Sequence, residues 1–512
     1  MRVAVVGGGI AGLAAAWELM DRAEVTVFEP GCLGGAIRTS EFCGHDIDEG
    51  PDSFVTRSPE AIDLCAEAGV GADLVAPVAG RSMLWWEGRL RPLPDGLVLG
   101  APRRLGGLAG GGILSAAGVA RAGADLVLPR RRPPDGLSVR ELVADRFGAQ
   151  VADRLVDPLV GGIHAGRTEQ LGAAEVVPQL VEAARSSRSL LLGLRRLGAG
   201  AGGGPMFLAP RAGLGSLVAA VVAALRTGGV AFATTAATAV RPAAVRPGAV
   251  RPAAVRPAAV RPGAVRPGAV RPGAVRPGAV RPGAVRPGAV RPGAVRAAGV
   301  RRPPSSAVEV APHPETFDAA VVATPASQAA RLLGGPAGEG LAGVESASVA
   351  VVTMAFDGGV VPPPGVNGFL VPRGQGRLMT ACSFGSRKWP HWAAPGIEVV
   401  RLSAGRAGDD PATGHQALDD DVLTGRLAEE LAAALGADLP SPVAVRVSRW
   451  PDSFPQYPPG HLRRIEAVED ALAKSAPAVV LAGSAYRGAG IPACIASGRR
   501  AARLALGRAG PP

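Results

Sequence analysis

The first dozen residues constrain this chain more than any other stretch. Val3-Ala4-Val5-Val6 reads as a buried strand, and Gly7, Gly9 and Gly12 then form G-x-G-x-x-G. Ala14-Ala15-Ala16-Trp17 and Leu19 continue as a helix. Val25-Thr26-Val27-Phe28 forms a second strand that ends in Glu29. Strand, tight glycine turn, helix, strand and acid, in that order, are what a dinucleotide needs. The glycines in Gly7-Gly8-Gly9-Ile10-Ala11-Gly12 let the backbone approach a pyrophosphate, whose charge sits at the helix N-terminus. Glu29 would accept the ribose hydroxyls. The bland alternative is a glycine turn that only packs helix on strand.

Charge does not add a nucleic-acid reading. The formal charge of +12 matches twelve arginines, one every fifth residue from Arg241 to Arg296, in a Val-Arg-Pro-(Gly or Ala)-Ala repeat without acids. The remainder is formally neutral (12 − 12 = 0). The basic character therefore belongs to one segment and not to a folded binding face. Proline at every fifth position removes amide donors and disfavours helix in each preceding arginine, which predicts a solvated, polyproline-like segment. Strand-like residues 230–240 and 307–325 flank it, so the repeat interrupts a sheet where a short turn would serve. Closure entropy grows only logarithmically with length, which favours a tolerated expansion without function. The alternative is an electrostatic tether for anionic lipid or nucleic acid.

At 512 residues, 47% of them hydrophobic, the chain has material for two or more lobes with buried cores. Its five cysteines are odd in number and form no C-x-x-C pair, as expected of reduced thiols in a cytoplasmic protein. Met1-Arg2 leads straight into the first strand, so no secretory signal is expected. Residues 105–120 are uncharged but glycine-rich, and shorter than the ~18 apolar residues of a spanning helix. They predict a buried or interfacial helix.

After Glu29, the doublet Gly34-Gly35 with Arg38 and Thr39 can bring amides and a cation to a second phosphate. Gly50-Pro51-Asp52-Ser53 forms a small-residue turn able to run past a flat ring. Ser58 and Pro59 read as the cap and first residue of a helix. Trp85-Trp86-Glu87-Gly88-Arg89-Leu90 predicts a hairpin, and residues 102–200 a mostly helical lobe. Within that lobe, residues 157–166 read either as a tight helix–helix turn or as a wall for a large flat ligand. Mixed strands and helices follow from 332 to 449, with strands at 348–356 and 397–404 and a helix at 420–435. Residues 478–483 form a last buried strand, and Ala489-Gly490-Ile491-Pro492 leads into a closing helix. A nucleotide domain opened at one end of the chain and completed at the other is expected to be discontinuous. The closing helix would aim its N-terminus at a cofactor ring, where it can stabilise the anion of a reduced flavin.

These motifs resemble the flavin-dependent protoporphyrinogen/coproporphyrinogen oxidases of the flavin amine oxidase superfamily. The carriers are residues 7–12, Glu29, Leu33-Gly34-Gly35 with Arg38, and Gly50-Pro51-Asp52-Ser53-Phe54. Others are Pro92-Leu93-Pro94, Pro158-Leu159, Gly162-Ile163-His164-Ala165-Gly166 and Ala323-Thr324-Pro325. The set closes with Pro455-Gln456-Tyr457, Gly460-His461 and residues 486–492 with Cys494-Ile495. The resemblance implies a mixed α/β and α+β fold. Its parts would be a discontinuous Rossmann-like FAD domain (1–80, 206–240, 303–332, 477–512), a mixed-sheet substrate domain (81–101, 333–476) and an inserted helical lobe (102–205). The low-complexity insertion would occupy 241–302.

FAD is expected along residues 7–12, Glu29, Gly34, Gly35, Arg38, 50–53 and 489–491, with a backbone contact at Ala237. Arg81 falls where relatives place an arginine that meets a substrate propionate, and its alternative is a solvent-facing hairpin residue. Gly162, Ile163 and His164 are substrate candidates, although relatives usually carry tyrosine at the position of His164. They also carry Gly-Gly where this chain has Ala212-Gly213. No acid/base pair is evident, no catalytic side chain is assigned beyond the flavin, and no metal site is expected. The implied reaction oxidises coproporphyrinogen III, or alternatively protoporphyrinogen IX, with O2 as acceptor, in haem biosynthesis. Implied partners are the porphyrinogen, O2 and, transiently, the next haem-pathway enzyme. Nucleic acid is not expected, and membrane contact would be at most peripheral at the cytoplasmic face. Rival readings are a flavin amine oxidase, a carotenoid desaturase-like enzyme, or a flavin-binding scaffold for haem synthesis. Against an amine oxidase stand only two lysines, Lys388 and Lys474, and two tyrosines.

Overall fold

Five parallel strands lie side by side in the order Ala231–Ala233, Glu24–Phe28, Arg2–Val6, Ala319–Val322, Val479–Leu481 in the computed structural model. The register runs Val3 to Val25 on one side and Val3 to Ala319 on the other. The central strands carry continuous apolar runs because both faces of the sheet are covered. Their pleat divides the side chains. Val3, Val5, Val25, Val27 and Val321 pack with the helices Ile10–Leu19, Leu214–Thr227 and Ile491–Ala509. Ala4, Val6, Phe28, Ala320 and Val322 face the other way. There they meet the helices Ala326–Leu333 and His461–Ser475 and the strands Ala239–Pro242 and Val308–Ala311. The described residues are 1–130, 132–197, 204–243 and 307–509. The readings made for residues 244–306 lie outside them. The chain leaves and re-enters at one place: Pro242 pairs with Val308, and the Ala243 amide donates to the Ala307 carbonyl at 2.8 Å.

A second, seven-stranded sheet has the order Ala444–Pro455, Ser346–Asp357, Ile397–Ala404, Met379–Phe384, Val366–Leu370, Arg81–Trp86, Arg89–Pro92. Its neighbours are antiparallel except Val366–Leu370 with Arg81–Trp86. Helix Asp420–Leu435, capped by Asp419 accepting from the Val422 amide, covers one face through Leu423, Leu427 and Leu431. The predicted hairpin forms here. Trp86 faces Arg89, and Glu87 and Gly88 take φ of 50° and 72°, the left-handed pair of a tight hairpin turn.

The lobe around 102–197 is helical. Ser138 and Glu141 form a reciprocal capping box on Val139–Phe147. Three sequence expectations change. Residues 105–114 are not helical, and the helix begins only at Ala116 with Ser115 as cap. Glycines at 106, 107 and 110–112 leave too little apolar stripe to offset their backbone entropy. Helix Glu60–Glu67 starts one residue later than predicted, with Pro59 itself at the cap and no side-chain cap from Ser58. The stretch 157–166, read as a tight helix–helix turn in one of its two readings, instead continues a π-helix, Ala152–Gly161, into one α-turn, Gly162–His164. Pro158 lacks the amide that a regular α-helix would use there, and the wider turn accommodates it.

Candidate functional site

The parallel strands end together, and their carboxyl ends build the site, as expected for an open α/β sheet. Gly7 follows Val6 with φ of 108°, and its amide donates to the Phe28 carbonyl at 2.9 Å. A Cβ on Gly12 would lie 1.9 Å from the Gly7 carbonyl oxygen, so the third glycine of the motif permits the helix to touch the strand turn. A Cβ on Gly9 would meet nothing within 4 Å. The second glycine therefore faces open space, which is where a ligand backbone would approach. Gly9 caps Ile10–Leu19 without a side-chain bond, and no acid occupies the first turn. The Ile10, Ala11 and Gly12 amides at a helix start have no intrahelical carbonyl to bind, so they favour an anion.

Glu29 ends the second strand beside this turn. Its carboxylate accepts from the Gly8 amide at 2.8 Å and the Gly31 amide at 2.9 Å. A carboxylate has about four acceptor positions, so two remain for hydroxyls. The Gly34 amide donates to the Gly8 carbonyl at 2.8 Å, and a Cβ on Gly35 would lie 3.2 Å from the Gly9 Cα. The structure thus brings Gly7, Gly8, Gly9, Ile10, Ala11, Gly12, Glu29, Gly34 and Gly35 to one locus. The Glu29 amide donates to the Ala233 carbonyl at the end of the strand that leads to Ala237, and Ala237 packs against the core cluster that contains Phe28 and Val240. Thr324 follows the fourth strand, and its buried hydroxyl has no hydrogen-bond partner among the described residues. An open glycine face, unpaired helix amides and an orphaned hydroxyl together fit a phosphate-bearing cofactor.

The far end of the chain joins the same site. Helix Ile491–Ala509 crosses Ile10–Leu19 at Gly498, where a Cβ would come 2.0 Å from the Ala11 carbonyl oxygen. Phe54 shares a core with Ile491 and Ile495, so the 50–53 turn runs beside the helix start formed by Ala489, Gly490 and Ile491. Arg38 lies 3.8 Å from Glu49 and 5.4 Å over the Trp450 ring. Trp450 also touches the position a Gly50 side chain would take.

Asp52 departs most from its simple reading. It carries an ion pair to Lys388 at 2.7 Å and to Arg401 at 3.5 Å, and accepts from Ser53 at 2.9 Å and Trp389 at 3.3 Å. Burial alone would push its carboxyl up, but the two cations hold it well below the usual carboxylate range. Residue spacing gives no sign of Arg401, and marks Lys388 only as one of two lysines. Asp48, four residues before Asp52, is raised by burial to about 6, despite bonds from Thr39 and the Leu214 amide.

On the substrate-candidate side, Gly162 has Leu370 Cδ2 as its nearest neighbour, 3.8 Å from where its Cβ would be, and Ile163 is 55% exposed. Gln456 donates to the His164 carbonyl at 2.9 Å, which ties this turn to Gln456-Tyr457. Burial pushes the His164 imidazole down to about 4, so it is neutral near pH 7. Arg81 begins its strand in an exposed position and pairs with Val366, whereas Leu84 pairs with Leu370. Arg81 is thus about 10–13 Å of strand away from the neighbour of Gly162. Arg81 lies on the sheet whose strand Val366–Leu370 supplies Leu370, the neighbour of Gly162, but at the opposite end of that strand pairing.

The family described as flavin containing amine oxidoreductase matches residues 10–237 and 298–506, leaving out most of the repeat. A coproporphyrinogen III oxidase of Mycobacterium bovis is 33% identical over 97% of this chain and 95% of its own length. One from Bacillus subtilis is 29% identical over 98% and 97%. The chloroplastic protoporphyrinogen oxidase of Oryza sativa is 37% identical, but over only 33% of this chain and 31% of its own. A crystal structure from Exiguobacterium sp. 255-15, named as a candidate protoporphyrinogen oxidase, superposes with a TM-score of 0.78 at 27% identity and 98% coverage of both chains. With the strand-end glycine site, the terminal helix that closes it and a family match over most of its length, this chain belongs to the flavin-containing amine oxidoreductases.

Proposed function

We propose that this protein oxidises coproporphyrinogen III to coproporphyrin III with FAD, passing electrons to O2. The observation that carries this reading is the end-to-end similarity to proteins named coproporphyrinogen III oxidase, against a one-third match to a protoporphyrinogen oxidase. The reaction removes six electrons in three rounds, yielding three H2O2 from three O2. The flavin supplies the electron chemistry, and the protein supplies position and electrostatics.

In this reading the Ile10, Ala11 and Gly12 amides receive the pyrophosphate, with Gly7, Gly8 and Gly9 clearing its approach. Glu29 takes ribose hydroxyls with its two spare acceptor positions. Gly34, Gly35 and Arg38 border the phosphates, Gly50, Pro51, Asp52 and Ser53 run along the ring, and the Ala237 backbone contacts the adenosine half. Ala489, Gly490 and Ile491 direct helix amides at the ring's far edge. Gly162, Ile163 and His164 form one wall for the porphyrinogen, and Arg81 reaches a propionate from the sheet edge. A neutral His164 does not act as an acid. Pyrrole protons can leave by imine–enamine tautomerisation without a strong protein base.

The test is the visible spectrum of the purified protein before and after anaerobic addition of each porphyrinogen. Bleaching of a yellow flavin by coproporphyrinogen III, faster than by protoporphyrinogen IX, is expected. Preference for protoporphyrinogen IX would overturn the substrate assignment. A flavin that neither compound reduces would support a non-catalytic scaffold, and reduction by a polyamine would support an amine oxidase. Among the described residues no helix is long and apolar enough to cross a membrane.

A further inference from the structure

The turn at 50–53 is surrounded by more positive charge than it cancels. The Asp52 side chain is 14% exposed and receives two cations, Lys388 Nζ at 2.7 Å and Arg401 Nη1 at 3.5 Å. Arg401, 7% exposed as a residue, also donates through Nη2 to the Gly50 and Glu49 carbonyls, and its Nε has no hydrogen-bond partner among the described residues. The neighbouring charges have partners of their own. Glu49 faces Arg38 at 3.8 Å and the hydroxyls of Ser40 and Ser448. Asp48 accepts from Thr39 and the Leu214 amide. Arg446 lies on the Ser40 hydroxyl and the Ile47 carbonyl. Arg446 faces Glu49, Asp48 and Glu41, so the local surplus lies at Asp52, where two cations, Lys388 and Arg401, pair with one carboxylate.

We propose that Lys388 and Arg401, held in place by Asp52, fix a net positive charge at the edge of the flavin ring that favours the reduced cofactor. This rests on the reading that residues 50–53 border that ring. Two-electron reduction puts negative charge on the ring system, and a fixed cation in a water-poor site stabilises it without reorganising. Both cations come from the seven-stranded sheet region: Arg401 from strand Ile397–Ala404 and Lys388 from the short turn Gly385–Lys388. Asp52 belongs to the nucleotide side. Docking of the two regions therefore sets the potential. Lys388 and Arg401 act in this scheme through their charge and not as acids, bases or nucleophiles.

The experiment measures the flavin midpoint potential by dye equilibration in the full-length, FAD-loaded protein and in Lys388→Gln, Lys388→Arg and Asp52→Asn. Lys388→Gln is expected to weaken the equilibrium for reduction about tenfold, which is ~30 mV for two electrons. Lys388→Arg should restore it. Asp52→Asn should shift the potential in the opposite direction, because it removes the carboxylate that pairs with both cations. A role confined to structure would move Lys388→Gln and Asp52→Asn the same way. An unchanged potential in Lys388→Gln, or equal signs in the two variants, overturns the inference. If Asp52→Asn does not fold, the Gln and Arg variants of Lys388 decide alone. Flavin content separates the two levels. A wild-type protein that never takes up flavin overturns the cofactor reading, whereas full flavin with unmoved potentials overturns this inference only.

Discussion

Asp125 and Arg146 meet inside the helical lobe, with Arg146 Nε 2.6 Å from Asp125 Oδ1 and both side chains at most 6% exposed. The remaining Arg146 donors reach the carbonyls of Pro129, Asp125 and Arg188, and Asp125 also accepts from Ser189 and the Leu191 amide. At the cofactor end Asp52 also pairs with an arginine, Arg401, but a second cation, Lys388, shares the same acid, and Arg401 Nε has no hydrogen-bond partner among the described residues. The first cluster is densely hydrogen-bonded and ties together three segments of one lobe, 125–129, 146 and 188–191. The second keeps a surplus of charge where two regions meet. A buried pair contributes to stability mainly through the damage done by breaking it, whereas a surplus projects a field onto whatever lies beside it.

The comparison can be broken most strongly at Arg146. Arg146→Met leaves Asp125 buried without its cation, and a loss of about 3–5 kcal/mol is expected in denaturant unfolding. The flavin potential of any folded fraction should not move, and a shifted potential would erase the distinction between the clusters. Asp48 gives a sharper, pH-dependent contrast with Asp52. Its carboxyl is raised to about 6, so the folded chain binds that proton more tightly than the unfolded one. Stability from this group is full below the ordinary aspartate value near 4 and is lost as pH rises through about 6, by about 2–3 kcal/mol at most. Asp52, held low, has the reverse sign: its contribution is present above the usual carboxylate range and is lost progressively as pH falls from about 4 into strong acid. Asp48→Asn should remove the dependence between pH 4 and 6, measured as the difference in unfolding free energy from wild type.

The glycine site should separate fold from cofactor. Gly12→Ala forces a Cβ against the Gly7 carbonyl and is expected to cost about 1–3 kcal/mol with or without flavin. Gly9→Ala meets no protein atom, so it should leave apoprotein stability within about 1 kcal/mol while weakening flavin retention on gel filtration. Equal losses of apoprotein stability in both would argue that Gly9 is only a packing residue. The smallest effect is expected at the repeat. Replacing 244–306 by Asn-Gly joins two chain ends that are already hydrogen-bonded, and turnover should stay within about twofold, since loop length carries little cost. A large loss of activity would revive the tether.

Much of the nucleotide region is legible in the order of its residues, because its signals are local. A buried strand, a glycine turn and a helix are encoded by neighbours within a few residues, and Glu29 follows at the end of the next strand. The hairpin at Trp86–Arg89 and the helix at 420–435 are legible for the same reason. The π-helix around Pro158 is not, because residue spacing there fits a turn equally well and only packing of the helical lobe selects the wider winding.

Sequence by itself therefore determined the strand-end glycine site, the buried strands and helix around it, and the place where the repeat enters and leaves. Tertiary structure decided the charges. Asp52 acquires Lys388 from 336 residues away, and Asp48, four residues earlier, acquires none so close and is pushed toward neutrality instead. Local spacing cannot encode that difference, since the sign and strength of a buried carboxylate's field depend on which distant cations the fold brings within a few ångströms and how much water it removes.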